Sequence, residues 1–365
     1  MRQKKLLERA CKVLPAGGFG NFDPSLIIRE GRGSRVWDED GKEYIDYLIG
    51  SGPMILGHGH PEIVEVLSEQ LHKGMTFFAN NAKGIELAEE ICSAVPCAEQ
   101  LRFVSSGGEA NMFAMRLARA FTRRSKILKF EGGYHGMSAE AQMSLAPNCL
   151  TDYPTSVADS AGISRSIRDE ILTAPFNNLE VVQSLIADHA DQIAAIIVEP
   201  LQRIIQPIEG FLKGLRNECS KHGIVLIFDE IVTGFRLSYG GGQELYGVTP
   251  DLCTLGKIIG GGFPLGAVLM NKKVASGMTA GTHGSTFGGN PLAMAVGNSV
   301  MDIISDKKFL NNIKRKSKYF LSNLNDIKDK YPKVIKEIRG RGFLIGIQLN
   351  TDQIKFIKSL MDNPI

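Results

Sequence analysis

Cysteine is sparse. Cys11, Cys92, Cys97, Cys149, Cys219 and Cys253 are scattered through 365 residues, with no metal-ligand pairs and no disulfide-rich pattern. That spacing gives no reason to expect a bound metal, and it fits a reducing cytoplasm. An excess of either charge is missing too. The 42 Lys and Arg nearly balance 39 Asp and Glu, so a net +3 gives no reason to expect nucleic acid or an anionic membrane as partner. No apolar run reaches membrane-spanning length. The opening MRQKKLLERACKVLP is basic without a sustained apolar stretch. Its Leu6, Leu7, Ala10, Val13 and Leu14 follow helical spacing and predict a short amphipathic helix rather than a signal peptide.

What is present is enough apolar material for a sizeable core, 43% hydrophobic residues over a length that suits one large domain with appendages, or two domains. Short β-rich runs alternate with helical patterns. LRFVSS precedes EANMFAMRLARAF, KILKFEG follows, and AAIIVEP leads through GFLKGLRNECSKHG to IVLIFDE. Continuous apolar strands separated by helices predict an α/β fold with a mostly parallel sheet covered on both faces. In such sheets chemistry gathers at the carboxyl ends of strands, which singles out Ser106, Glu199, Asp229 and the loop holding Lys257. From Met301 onward the composition changes. This tail has eleven lysines and three arginines against seven acids, and no alanine. It reads as a smaller unit: a long Lys/Asn-rich helix, a turn at RGRG, a strand FLIGIQL and a helical start that stops at MDNPI.

Four stretches carry candidate chemistry. VSSGGEAN places Ser106, Gly107 and Gly108 between a strand and a helix, where bare amides form an anion cradle; a plain turn is the alternative. EGGYHG offers Tyr134 as a face for an aromatic ligand, with His135 beside it, or else a packed tyrosine and a satisfied histidine. IVLIFDEIVTGFR ends a buried strand on Asp229, which needs a cationic partner, either a pyridinium nitrogen or a salt bridge such as Arg236. PDLCTLGKIIGGG sets Lys257 between apolar residues and three glycines, where it snorkels out or is held for amine chemistry. Together a lysine, a buried aspartate, a phosphate cradle and a stacking aromatic are the parts that hold pyridoxal 5′-phosphate.

With these motifs, and with WDEDGKEYIDY, GPMILGHGHP, IIVEP and GSTFGGNP, the chain resembles the class III aminotransferases over nearly its whole length. These are fold type I enzymes dependent on pyridoxal phosphate. Up to about Gly256 it is similar to the glutamate-1-semialdehyde 2,1-aminomutase group; after Gly260 it is similar to acetylornithine and ornithine aminotransferases. The resemblance implies that Lys257 forms the Schiff base, Asp229 partners the ring nitrogen, and Tyr134 stacks on the ring. Ser106, Gly107 and Gly108 would bind the phosphate, with His135 close by, and Thr286 would reach the phosphate of a neighbouring subunit in a homodimer with shared sites. It also implies a doubly wound large domain, residues 51–295, beside an α+β small domain from residues 1–50 and 296–365. Substrates would be a small-molecule amino donor and acceptor.

The departures bear on specificity. Gly108 stands where the group has a threonine hydroxyl, and GGFGNFDPSL lacks the arginine that would hold a substrate carboxylate. Ser51 replaces a tryptophan, and Val232 stands where acetylornithine-type relatives have a glutamine that touches the ring hydroxyl. Gln202 is the candidate substitute and Arg203 a candidate carboxylate binder; each is equally a surface residue. The family's further C-terminal segment, with its arginine for an α-carboxylate, has no counterpart before Ile365, which leaves a fragment or an impaired enzyme as alternatives. The leading expectation is an aminotransferase or aminomutase; an acetylornithine or ω-amino acid aminotransferase, or a non-catalytic dimer of this fold, are the others.

Overall fold

Every residue of Ile193–Val198 and of Val225–Asp229 is buried. A strand covered on both faces needs apolar side chains at each position, and IAAIIV and VLIF supply them. These strands lie in a seven-stranded sheet in the computed structural model, which describes residues 2–20, 24–146, 151–350 and 355. An antiparallel N-terminal meander comes first: β1 (Ile28–Arg32), β2 (Arg35–Asp38) and β3 (Glu43–Ile45). The large sheet then takes β4 (Gln100–Val104), β5 (Lys126–Phe130), β6 (Ile171–Ala174), β7 (Ile193–Val198), β8 (Val225–Asp229), β9 (Leu252–Leu255) and β10 (Gly266–Met270). Their order across the sheet is β4-β10-β9-β8-β7-β5-β6.

The pairs from β9 through β8, β7 and β5 to β6 are parallel, while β10 runs antiparallel to both β9 and β4. The reversal has a local cause. The connection from Gly256 to Leu265 is a 3-10 turn and a loop, too short for the helical crossover that a parallel return requires. That short connection carries Lys257.

Alternate residues of each strand serve opposite faces. Ala195 and Ile197 join a core beneath the helix Gly107–Thr122, while Ile196 and Val198 join one beneath Leu179–His189 and Phe211–His222. Cys253, Leu255, Ala267 and Leu269 pack on the second face against the helices Ala82–Ala94 and Pro291–Ile304. The helix over the first face is small on its inner side, with Ala110, Ala114 and Ala118 at zero exposure, so it approaches the sheet closely. Each fully buried Leu, Ile or Phe contributes about 1.5–3 kcal/mol relative to an exposed one.

The division expected at residue 295 falls inside a continuous helix, Pro291–Ile304, whose buried residues run from one end to the other. Its apolar surface belongs to the large core. The tail is then the helix Lys307–Lys330, in which only Ser317 is buried, and a hairpin of β11 (Ile335–Arg341) and β12 (Leu344–Leu349). RGRG is mostly strand; the chain reverses at Gly342 and Phe343. The helical start ahead of MDNPI falls almost wholly outside the described residues. The N-terminal amphipathic helix spans Arg2–Val13 and has no fully buried residue.

Candidate active site

Residues at or just after the ends of strands β4, β8 and β9 meet in one cavity of about 680 Å³. Ser106, Gly107, Gly108, Tyr134, Asp229, Val232, Lys257, Ser51 and Arg203 all line it, joined by Glu199, Arg236 and the hairpin tip Phe343–Ile345.

The cradle is a capped helix start. Ser106 accepts from the Glu109 amide through Oγ at 3.2 Å, and Glu109 reaches back to accept from the Ser105 amide at 2.7 Å. This variant of the Ser-x-x-Glu capping box leaves the first amides of the helix Gly107–Thr122 facing the cavity. Gly107 and the facing Gly136 are crowded, whereas Gly108 has room for a side chain. A Cβ on Gly107 would come within 2.7 Å of Ile231, and one on Gly136, which has φ +104°, within 2.6 Å of Gly108 Cα. Side chains at either position would fill the space beside the amides.

Asp229 lies at the floor, 3% exposed. Its Oδ2 accepts from Asn111 Nδ2 at 2.7 Å and lies 2.7 Å from His135 Nδ1, and its Oδ1 accepts from the Ile231 amide at 3.1 Å. Asn111 is held in turn, accepting from Thr254 Oγ1 at 2.7 Å and donating to the His135 carbonyl at 3.1 Å. Asn111 was missed as a functional candidate, although a polar residue on the inner face of an alanine-rich helix was the available signal. His135 is placed apart from the cavity lining. It is buried behind Asp229, off the cavity wall, where it orients the carboxylate.

Lys257 follows β9 and adopts φ +47°, a left-handed conformation that costs a non-glycine residue about 1–2 kcal/mol. Burial pushes its amine below the usual lysine range; Arg236 and Arg203 act in the same direction, and Asp229 and Glu199 oppose them. Glu199 is itself buried, accepting from the amides of Tyr134 at 2.8 Å and Arg203 at 3.2 Å. Desolvation and the nearby Asp229 raise its pKa against those amides and His135.

The remaining candidates separate. Arg203 sits at the mouth, its guanidinium 5.0 Å from the Tyr134 ring centroid and its Nε donating to the Gly132 carbonyl at 3.2 Å. Arg236 makes no salt bridge to Asp229. It donates instead to the carbonyls of Val232, at 3.0 Å, and Gly52. Gln202 is buried outside the cavity lining, its Nε2 donating to the Glu131 carbonyl at 2.8 Å, and it forms an isolated bridge with Ile205. Thr286 is exposed and does not line its own chain's cavity. Nor does it cap the following helix, a role Asn290 fills by accepting from the Ala293 amide at 2.9 Å.

A family model for aminotransferase class-III matches residues 20–364. The chain belongs to the class III aminotransferases. It is 43% identical over 332 residues to a glutamate-1-semialdehyde 2,1-aminomutase of Citrifermentans bemidjiense, which covers 87% of this chain and 77% of the relative. The corresponding enzyme of Natranaerobius thermophilus is 40% identical, covering 90% and 78%. Among solved structures, an ω-transaminase from Sphaerobacter thermophilus superposes with TM-score 0.89 at 33% identity, covering 96% of this chain and 83% of that one. As a class III aminotransferase the chain is a pyridoxal-phosphate-dependent enzyme of fold type I. The capped cradle, the buried carboxylate and the depressed lysine amine on one wall fit that cofactor.

Proposed function

We propose that this class III aminotransferase moves an amino group on a small amino acid or amino aldehyde, as in the aminomutase group. The convergence of Lys257, Asp229 and the amides of Gly107 and Gly108 on one cavity carries this reading. Ser106, Gly107 and Gly108 would hold the phosphate, Tyr134 and Val232 would contact the ring, and Asp229 would partner the ring nitrogen. When bound, the cofactor supplies an aldehyde for the amine and a ring that withdraws electrons. Lys257 provides the covalent attachment and then moves the substrate's proton, a role its lowered pKa suits. Asp229, fixed by Asn111 and His135, would hold a proton on the ring nitrogen. Borohydride reduction of the holoenzyme followed by peptide mapping should put the adduct on Lys257; an adduct on another lysine refutes the assignment.

A cytoplasmic homodimer belongs to the same proposal, as does a small domain formed by residues 1–50 and the chain after Ile304. Thr286 and the 60% exposed Phe287 stand on a loop laid along β4, and Phe77 and Phe78 add exposed apolar surface. Such a surface suits a second subunit, whose phosphate Thr286 would reach. Lys257→Ala and Thr286→Ala chains, each inactive alone, should regain activity when mixed and allowed to exchange. A mixture that stays dead removes the shared-site model.

A further inference from the structure

Two arginines line the cavity, and they differ in what they already hold. Arg203 is exposed, stacked over Tyr134, with water available to its charge. Arg236 is half-buried against the wall, and burial alone pushes its guanidinium down to about 10. Its two hydrogen bonds go to neutral backbone carbonyls, those of Val232 and Gly52. Among the described residues, no carboxylate forms a salt bridge with it.

A guanidinium in that position bears a desolvation cost that two neutral acceptors do not offset. It also has donors to spare, since only two of its five N–H groups are engaged by these bonds. Its place in the site is close to the reacting amine. A point one Cβ bond above Gly52 lies 3.4 Å from Arg236 Nη2 and 3.6 Å from Lys257 Cδ. Gly52 has φ +104°, and a side chain there would crowd the Arg236 guanidinium and the Lys257 side chain. Glycine leaves that space to the ligand.

We infer that Arg236 is the substrate-carboxylate site of this enzyme, and that the favoured amine carries its carboxylate close to the amino-bearing carbon. This rests on the proposed reading of Lys257 and deepens it by naming the substrate class. It assigns to Arg236 the role first considered for Arg203. It also supplies a cation that GGFGNFDPSL lacks.

Aminooxyacetate and methoxyamine both condense with the cofactor's aldehyde, and only the first carries a carboxylate, at the spacing of a β-amino acid. Spectral titration of the holoenzyme should show wild type preferring aminooxyacetate by about tenfold or more, the scale of a charge-assisted pair. In Arg236→Gln that preference should fall to about one, with methoxyamine affinity unchanged; Arg203→Gln should keep it. If Arg236→Gln does not fold, Arg236→Lys is titrated instead, and a preference cut several-fold sustains the site. A preference absent in wild type, unaltered at Arg236, or lost only in Arg203→Gln overturns the assignment. Failure of both reagents with wild type would instead refute the Lys257 reading beneath it.

Discussion

At and behind the floor of the cavity, Asp229, Asn111 and His135 are at most 3% exposed, and each sits in or beside a regular element of the large sheet. At the mouth, Ser51 and Arg203 are exposed, Tyr47 is 79% exposed, and the backbone is irregular. Ile49, Gly50, Ser51 and Gly52 are consecutive residues with positive φ, and Arg203 has φ +60°. The floor is rigid because its polar groups bond one another and cannot exchange those bonds for water. The mouth has solvent as an alternative partner for nearly everything it displays. One chain thus builds a fixed half for the chemistry every member of the family performs and an adaptable half where substrates differ.

The comparison breaks most sharply at Asp229. On the proposed reading, Asp229→Ala removes the carboxylate that would keep the ring protonated and strands the Asn111 and His135 donors, so turnover should fall by about 10²–10⁴-fold. Near-normal turnover would mean the floor does no chemistry. Asn111→Ala tests the same network one step back. The acceptor for Thr254 and a donor to Asp229 disappear together, with a stability loss of about 1–3 kcal/mol and turnover down about tenfold. Unfolding and rate measured on one preparation decide it: unchanged stability with full activity shows Asp229 holding its place unaided.

The smallest effect concerns Lys129, buried behind the floor, with Nζ donating to the carbonyls of Ala141 and Met143. Burial pushes its amine from 10.5 down to about 8. Below pH 8 both states are protonated and the fold bears the full cost of a buried ammonium. Between about 8 and 10.5 only the unfolded chain keeps the proton, so stability rises with pH through that window. Lys129→Met should lose this rise, on the order of 1–2 kcal/mol, in urea unfolding at pH 7.5, 9 and 10. Parallel curves for the two proteins would show that Lys129 titrates as an ordinary lysine.

The apolar runs IAAIIV and VLIF made a buried, mostly parallel sheet legible, because strands covered on both faces leave little room for another composition. The same reasoning reached Asp229 and Lys257, since charges beside such runs demand an explanation. Residues whose meaning depends on direction were not legible. Asp229 and Glu230 are adjacent, yet the first faces the cavity while Glu230 turns away to accept from Gln243 and Thr233. Period-two alternation separates such neighbours, but only the packed sheet says which face holds the ligand. Gln202 and His135 looked like cofactor contacts for that reason and lie off the wall.

By itself, then, the sequence determined the layers, the strand ends and the kind of chemistry, because burial and helix capping act within a few residues of one another. The tertiary structure decided the order of strands across the sheet, the packing that keeps Pro291–Ile304 in the large core, and the network of Asn111, Asp229 and Thr254. It also decided that Arg236, 184 residues from Gly52, donates to its carbonyl and closes one side of the cavity. These are contacts between distant segments, and their energy depends on distance and exclusion of water, which no local pattern of residues encodes.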